Sequence, residues 1–482
     1  MSRKYDFVVL GGRLSSVLVA SLLTKRGFRG VLLDQGELST ALGGADELLV
    51  NPAGSFIMDR VHDELGVRDD YNRICRPLKP ALQFVLPETR FDFVGGTQID
   101  ELARGMGISS DAIRSCFEAM LRADRSIGTY LSEIQEIPPP TGFFARLTST
   151  SARKVDALTH LVQDSAAGQE PMLRDLFGGL IPFLTFLDPR RAEHWTEARW
   201  VRPVARLLGG GFQTLSTTGD RDLFLDVARR KSLDVRPGAV ERLVPEGRSW
   251  LVYTSGGRDP ILTSSVVDAS TDLSGLDAVP PRQQGRHLPV LMQAAKARGS
   301  LHLLGIELDQ AALPPPLGTH ILLFNQRRDP NRVEPWDPAS VDRPIWITTR
   351  PGLQEGRCQL ILQHPISAVQ AHESRTVPLD DVLKARLRRL IPFLDEARPE
   401  VFNPTQSGRM GPPVLGHPHF DVSLDEETGL GGVSMRTSFK NLFLAGPCVV
   451  PGLGREGEYI AAAQAAKTIE VLLAGSRSRS LV

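Results

Sequence analysis

The chain has 482 residues, 41% of them hydrophobic and 23% charged, which fits a globular protein of two or three domains. Lys plus Arg and Asp plus Glu balance at 56 each, and the cations are spread along the chain, so nothing in the charge points to nucleic acid. No apolar run reaches the ~18 residues that a transmembrane helix needs.

Taken in order, Tyr5–Leu10 (YDFVVL) is a short apolar run followed at once by Gly11 and Gly12. The chain enters this strand directly, which argues against a cleavable leader. Ser15–Lys25 has helical apolar spacing, Gly27 ends it, and Gly30–Asp34 reads as a second buried strand. Strand, glycine turn, helix and a strand ending in an acid make the dinucleotide-type βαβ unit, with its two strands parallel.

Residues 75–200 read as mostly helical, with strand-like pieces at Leu82–Leu86 and Phe91–Val94. Leu176–Leu187 (LFGGLIPFLTFL) is the most apolar stretch. It could line a tunnel for a long apolar substrate, dip into a membrane surface, or form a buried helix. Beyond the glycines at 209–211, a helix over Asp222–Lys231 precedes strands at Val235–Leu243, Trp250–Thr254 and Ser265–Ala269. Alternating runs between Leu301 and Ile366 predict a mostly antiparallel sheet. A helix over Val382–Leu394, a strand at Asn441–Ala445 and a helix over Glu458–Leu473 complete the order. The order implies an α/β protein in which a Rossmann domain (1–74, 205–275, 425–475) is interleaved with a second, α+β domain (75–204, 276–424). Residues 476–482 read as a disordered tail.

Few side chains advertise chemistry. His417-Pro418-His419 is a close histidine pair with no third ligand at metal spacing, so a turn with two unrelated histidines is the expectation. The four cysteines form no CxxC, which signals neither zinc nor a disulfide framework and fits a reducing, cytoplasmic setting. No Ser-His-Asp order or carboxylate pair stands out.

The blocks YDFVVLGGRLSSVLVASLL, LLDQG, LGGA, GGGFQTL and NLFLAGPCVVPGLGREG together resemble the superfamily of phytoene desaturases, amine oxidases and Rab GDP-dissociation inhibitors. The order of elements carries this resemblance over nearly the whole chain, and the motifs carry it only in short blocks. It implies an FAD-type Rossmann domain and a substrate domain. The implied cofactor residues are Gly11, Gly12, Arg13, Ser15, Ser16, Asp34, Gln35, Gly43, Gly44, Val240, Gly446 and Gly457. Asp34 would bind ribose hydroxyls, and Val240 would offer adenine a backbone contact.

Three departures bear on the cofactor. Arg13 stands at the second glycine of G-x-G-x-x-G, where backbone normally approaches the diphosphate. It either grips a phosphate or fills a vacated pocket. Ala45 replaces the family's arginine. Glu456 and Glu458 sit at the start of the last helix, where they would take the favourable helix field themselves and repel a diphosphate lying close. Two readings follow. One is an FAD-dependent oxidoreductase similar to the desaturases, acting on an apolar, isoprenoid- or lipid-like substrate. The other is a cofactor-free relative similar to the GDP-dissociation inhibitors that binds a protein or lipid group, or a structural subunit. Peripheral contact with a membrane is compatible with both.

Overall fold

The computed structural model describes residues 4–36, 47–50, 54–78, 82–94, 99–133, 171–188, 201–215, 219–257, 259–315, 317–324, 343–368, 379–402, 404, 414–422 and 429–479. The chain opens with β1 (Tyr5–Leu10), α1 (Leu14–Lys25) and β2 (Gly30–Asp34), followed by β3 (Glu47–Leu49), α2 (Phe56–Leu65) and α3 (Arg68–Ile74). Next come β4 (Arg76–Pro77), β5 (Leu82–Val85), β6 (Arg90–Phe93), α4 (Ile99–Met106), α5 (Ser110–Glu133), α6 (Pro171–Leu184) and α7 (Val201–Gly209). Then β7 (Gln213–Leu215) and α8 (Gly219–Arg230) lead into β8 (Asp234–Pro237), β9 (Val240–Glu246), β10 (Ser249–Thr254), β11 (Ile261–Asp268) and α9 (Ser274–Asp277). The rest is α10 (His287–Ala295), β12 (Gly299–Asp309), β13 (His320–Leu323), β14 (Ile345–Pro351), β15 (Arg357–Ser367), α11 (Leu379–Leu390), β16 (Glu400–Phe402), β17 (Val414–His419), β18 (Leu442–Leu444) and α12 (Arg455–Arg479).

One sheet runs β8-β2-β1-β11-β10-β9, with β18 also on β11. Strands β8, β2, β1, β11 and β18 are mutually parallel, and β9 and β10 form an antiparallel annex. Parallel strands need crossovers, so β1 and β2 are joined by α1, whose first eleven residues are all buried. That is why Leu14–Lys25 looks apolar on every side rather than amphipathic. The stretch expected as one strand over Val235–Leu243 divides at Gly238 (φ +143) into β8 and β9, which lie at opposite ends of the strand order.

The other large sheet runs β16-β12-β15-β14-β13-β5-β6, with β17 on β12, and its pairs are antiparallel except β13 with β5. Period-two alternation separates its faces. Ile321, Leu323, Ile345 and Ile347 turn to a small core with Leu383 and Leu387 of α11. Leu322 and Trp346 turn the other way, into the main core. The apolar stretch at Leu176–Leu187 is largely α6, with Leu176, Phe177, Leu180 and Ile181 buried in that core. Burial accounts for its composition, without a membrane. Among the described residues no helix is long and apolar enough to cross one. The last helix continues to Arg479, into the segment expected as a tail, because Gly475, its one glycine beyond the first turn, costs only about 1 kcal/mol.

Candidate functional site: two helix starts beside one sheet

The turn from β1 into α1 is held by glycine for a steric reason. Gly11 has φ +107, and a Cβ there would lie 2.9 Å from the Ala269 carbonyl oxygen and 3.0 Å from the Ser270 nitrogen. Its amide donates to Leu33 O at 3.0 Å, tying the turn to β2. Residues Gly11, Gly12, Arg13, Leu14, Ser15 and Ser16 are all buried. Arg13 is the N-cap of α1, yet its side chain makes no cap hydrogen bond, and the first turn carries no acid. The Ser16 hydroxyl donates to Arg13 O at 2.6 Å, while Ser15 Oγ is buried with no partner. The end of α1 therefore presents its positive field inside the protein with no acid in its own first turn.

The side chain of Arg13 crosses to the loop after β11. Its guanidinium donates to Thr271 Oγ1 at 3.0 Å. That loop is braced by Asp268, which accepts from the Ser270 amide (3.1 Å) and hydroxyl (2.6 Å) and from the Leu276 amide (2.9 Å). Burial raises the Asp268 carboxyl to about 6, against those hydrogen bonds.

Asp34 ends β2 half-buried, and its Oδ1 accepts from the Gly36 amide at 3.1 Å. Gln35 donates to Ser274 Oγ at 2.6 Å, joining β2 to α9. The Gly238 amide donates to Asp34 O at 2.9 Å, so Val240 begins β9 two residues beyond that bond. Gly446 is buried, yet a Cβ built on it would meet nothing within 4 Å. Gly457 is the opposite case, since a Cβ would lie 2.2 Å from Val450 O, and this glycine lets α12 pack on the preceding loop. Gly43, Gly44 and Ala45 lie outside the described residues.

At the start of α12 the structure corrects the expectation for Glu456. Glu456 is buried and directed at protein, not toward a ligand. It takes Arg202 Nε at 2.9 Å and Nη2 at 3.0 Å, Arg206 at 3.4 Å and the Ser55 hydroxyl at 2.6 Å. Arg202 also bonds Asp124 at 2.6 Å. Burial alone would raise the Glu456 carboxyl, but Arg202 and Arg206 hold it down at about 2. Its charge is matched, so it exerts little repulsion on a distant phosphate. Glu458 is buried as well. The sequence reading missed these partners, although Arg202 and Arg206 stand four apart in an otherwise apolar helix, the pattern of a cationic stripe facing a buried acid.

In the second sheet, His320 and Thr348 face each other across β13 and β14. Both are buried, and neither His320 ring nitrogen nor Thr348 Oγ1 has a hydrogen-bond partner. Burial holds His320 near 4, hence neutral. Trp346 packs on His320 (5.7 Å between centroids) and on Phe183 of α6 (5.5 Å). The run HILLFN hid this histidine among apolar residues. His417 and His419 lie on β17, not in a turn, and His419 Nε2 meets Pro182 O at 2.9 Å. No group that could hold a metal occurs among the described residues. Cys448 is a buried thiol that burial pushes up to about 12, which leaves it unreactive.

No protein-family model matches the sequence, and no curated protein does. Solved structures match over nearly the whole chain. A putrescine oxidase bound to putrescine aligns with TM-score 0.57 at 13% identity, covering 98% of this chain and 100% of its own. An oxidoreductase from Methanosarcina mazei gives 0.60 at 12%, covering 96% and 100%. The cyclohexylamine oxidase of Brevibacterium oxydans gives 0.51 at 13%, covering 98% and 100%. The chain thus has the mixed α/β, Rossmann-type fold of the amine oxidases, as the motif resemblance implies.

Proposed function

We propose that this chain is an FAD-dependent oxidoreductase that acts on an apolar substrate. One observation carries the reading: α1 starts inside the protein with no cap and no acid, behind a glycine turn in a dinucleotide-type βαβ unit. A buried helix start with no capping side chain and no acid in its first turn suits an anion. The open space before buried Gly446 and the acid ending β2 are consistent with the same ligand. The residues fit FAD in these terms. The α1 amides would hold the diphosphate, Asp34 a ribose, the backbone near Val240 the adenine, and Gly446 would leave room for the ligand. Bound FAD supplies hydride transfer; the chain supplies position and a dry cavity. Support for an apolar substrate is limited to the packed Phe183, Trp346 and His320 rings between α6 and the second sheet.

The test is the visible spectrum of the purified protein, with and without added FAD. Stoichiometric absorbance near about 450 nm is expected. A colourless protein that takes up no FAD would sink the reading.

A second reading, a cofactor-free binder of a protein or lipid group, draws on Arg13, whose buried side chain stands where flavoproteins keep a glycine. Failure to take up FAD together with capture of an isoprenoid-bearing ligand would favour it.

A further inference from the structure

Arg13 is 4% exposed, and its hydrogen bond goes to a neutral hydroxyl, that of Thr271. No carboxylate pairs with it among the described residues, whereas the buried Arg202 has two. The titratable neighbour that feels its charge is His417, which burial first and Arg13 second hold at about 3, so the imidazole is neutral and offers no countercharge. Of the acids on that loop, Asp272 beside Thr271 is exposed and accepts from the Ser274 amide at 3.1 Å, and Asp268 spends both oxygens on Ser270 and Leu276. The guanidinium also belongs to the N-cap residue of α1, so the residue at the positive end of a twelve-residue helix itself carries a cation. A buried charge without a counterion is strongly unfavourable, and two like fields compound it. Both are relieved at once by an anion between them.

We infer that Arg13 is a direct ligand of a diphosphate, gripping it with the guanidinium while the α1 amides hold it from below. In the usual turn the second glycine lets backbone reach the phosphates. Here a side chain takes over part of that contact, in the planar, two-pronged geometry that arginine offers phosphate. The identity of the ligand as FAD rests on the function proposed above. Its charge does not, since ADP or inorganic pyrophosphate carries the same group.

The experiment is calorimetric titration of the full chain with FAD, ADP, inorganic pyrophosphate and riboflavin, in wild type, Arg13→Met and Arg13→Lys, with the melting temperature of each unliganded protein. Wild type is expected to bind the three phosphate ligands. Arg13→Met should weaken all three at least about tenfold, leave riboflavin unchanged, and melt higher than wild type because an unbalanced buried charge is gone. Arg13→Lys, which keeps the charge and loses the fork, should fall between. A purely structural arginine would lower the melting temperature on removal and leave the affinities alone. Equal or tighter FAD and pyrophosphate binding by Arg13→Met overturns the inference and leaves the flavin reading standing. Arg13-dependent binding of ADP and pyrophosphate without FAD uptake does the reverse. No anion binding by wild type overturns the inference outright.

Discussion

The starts of α1 and α12 carry the same physical problem and solve it in opposite ways. Each helix presents a buried positive end. At α12 the protein supplies its own anion, Glu456, and then balances that anion with Arg202, Arg206 and Ser55. At α1 the first turn holds no acid, no carboxylate among the described residues pairs with Arg13, and a cation is added. A closed, self-neutral network is what a structural joint needs, because α2, α5, α7 and α12 meet there. An end left positive is what a binding site needs, because its balance arrives with the ligand. Glu456, which read as a threat to cofactor binding, therefore belongs to the joint, and Arg13 belongs to the proposed site.

The largest effect tests the joint. Glu456→Gln leaves two buried guanidinium groups short of a carboxylate and should cost about 3–5 kcal/mol in urea unfolding. A loss under about 1 kcal/mol would show that α12 is not closed in this way. The cost should depend on pH with a definite sign. The folded carboxyl titrates at about 2, below its ordinary value of 4.5, so its contribution is complete above about pH 5 and fades as pH falls towards 2. The stability gap between wild type and Glu456→Gln should narrow across that window.

Gly11→Ala tests the other end. It forces a Cβ against Ala269 O at positive φ, and should cost about 1–3 kcal/mol and displace the turn that bounds the proposed diphosphate site. Full stability with unchanged FAD uptake would remove the steric argument for the turn.

The two serines give the finest comparison. Ser55 donates to Glu456 and its oxygen accepts from Met58 N at 3.4 Å, so Ser55→Ala should cost about 1–2 kcal/mol. Ser15 is just as buried but its hydroxyl has no partner, so Ser15→Ala should be neutral or slightly stabilising, within about 0.5 kcal/mol. Equal losses at both serines would erase the contrast between the ends.

By itself the sequence determined the scaffold. The βαβ unit, the apolar Leu176–Leu187 as one candidate buried helix, the antiparallel runs after Leu301 and the closing strand and helix were legible because each rests on local periodicity and on glycine and acid positions along a short stretch. It also singled out the turn at Arg13 and the acids at Glu456 and Glu458 as the departures that bear on the expected cofactor site. It could not say which way they act. Arg202 lies 254 residues from Glu456, and Thr271 lies 258 from Arg13, so the carboxylate that neutralises one cation and the neutral hydroxyl that meets the other are long-range facts. The splitting of Val235–Leu243 at Gly238 and the facing of His320 and Thr348 are long-range in the same sense. A charge in sequence has only a sign; its energy is set by what the fold buries beside it, and that was decided by tertiary structure alone.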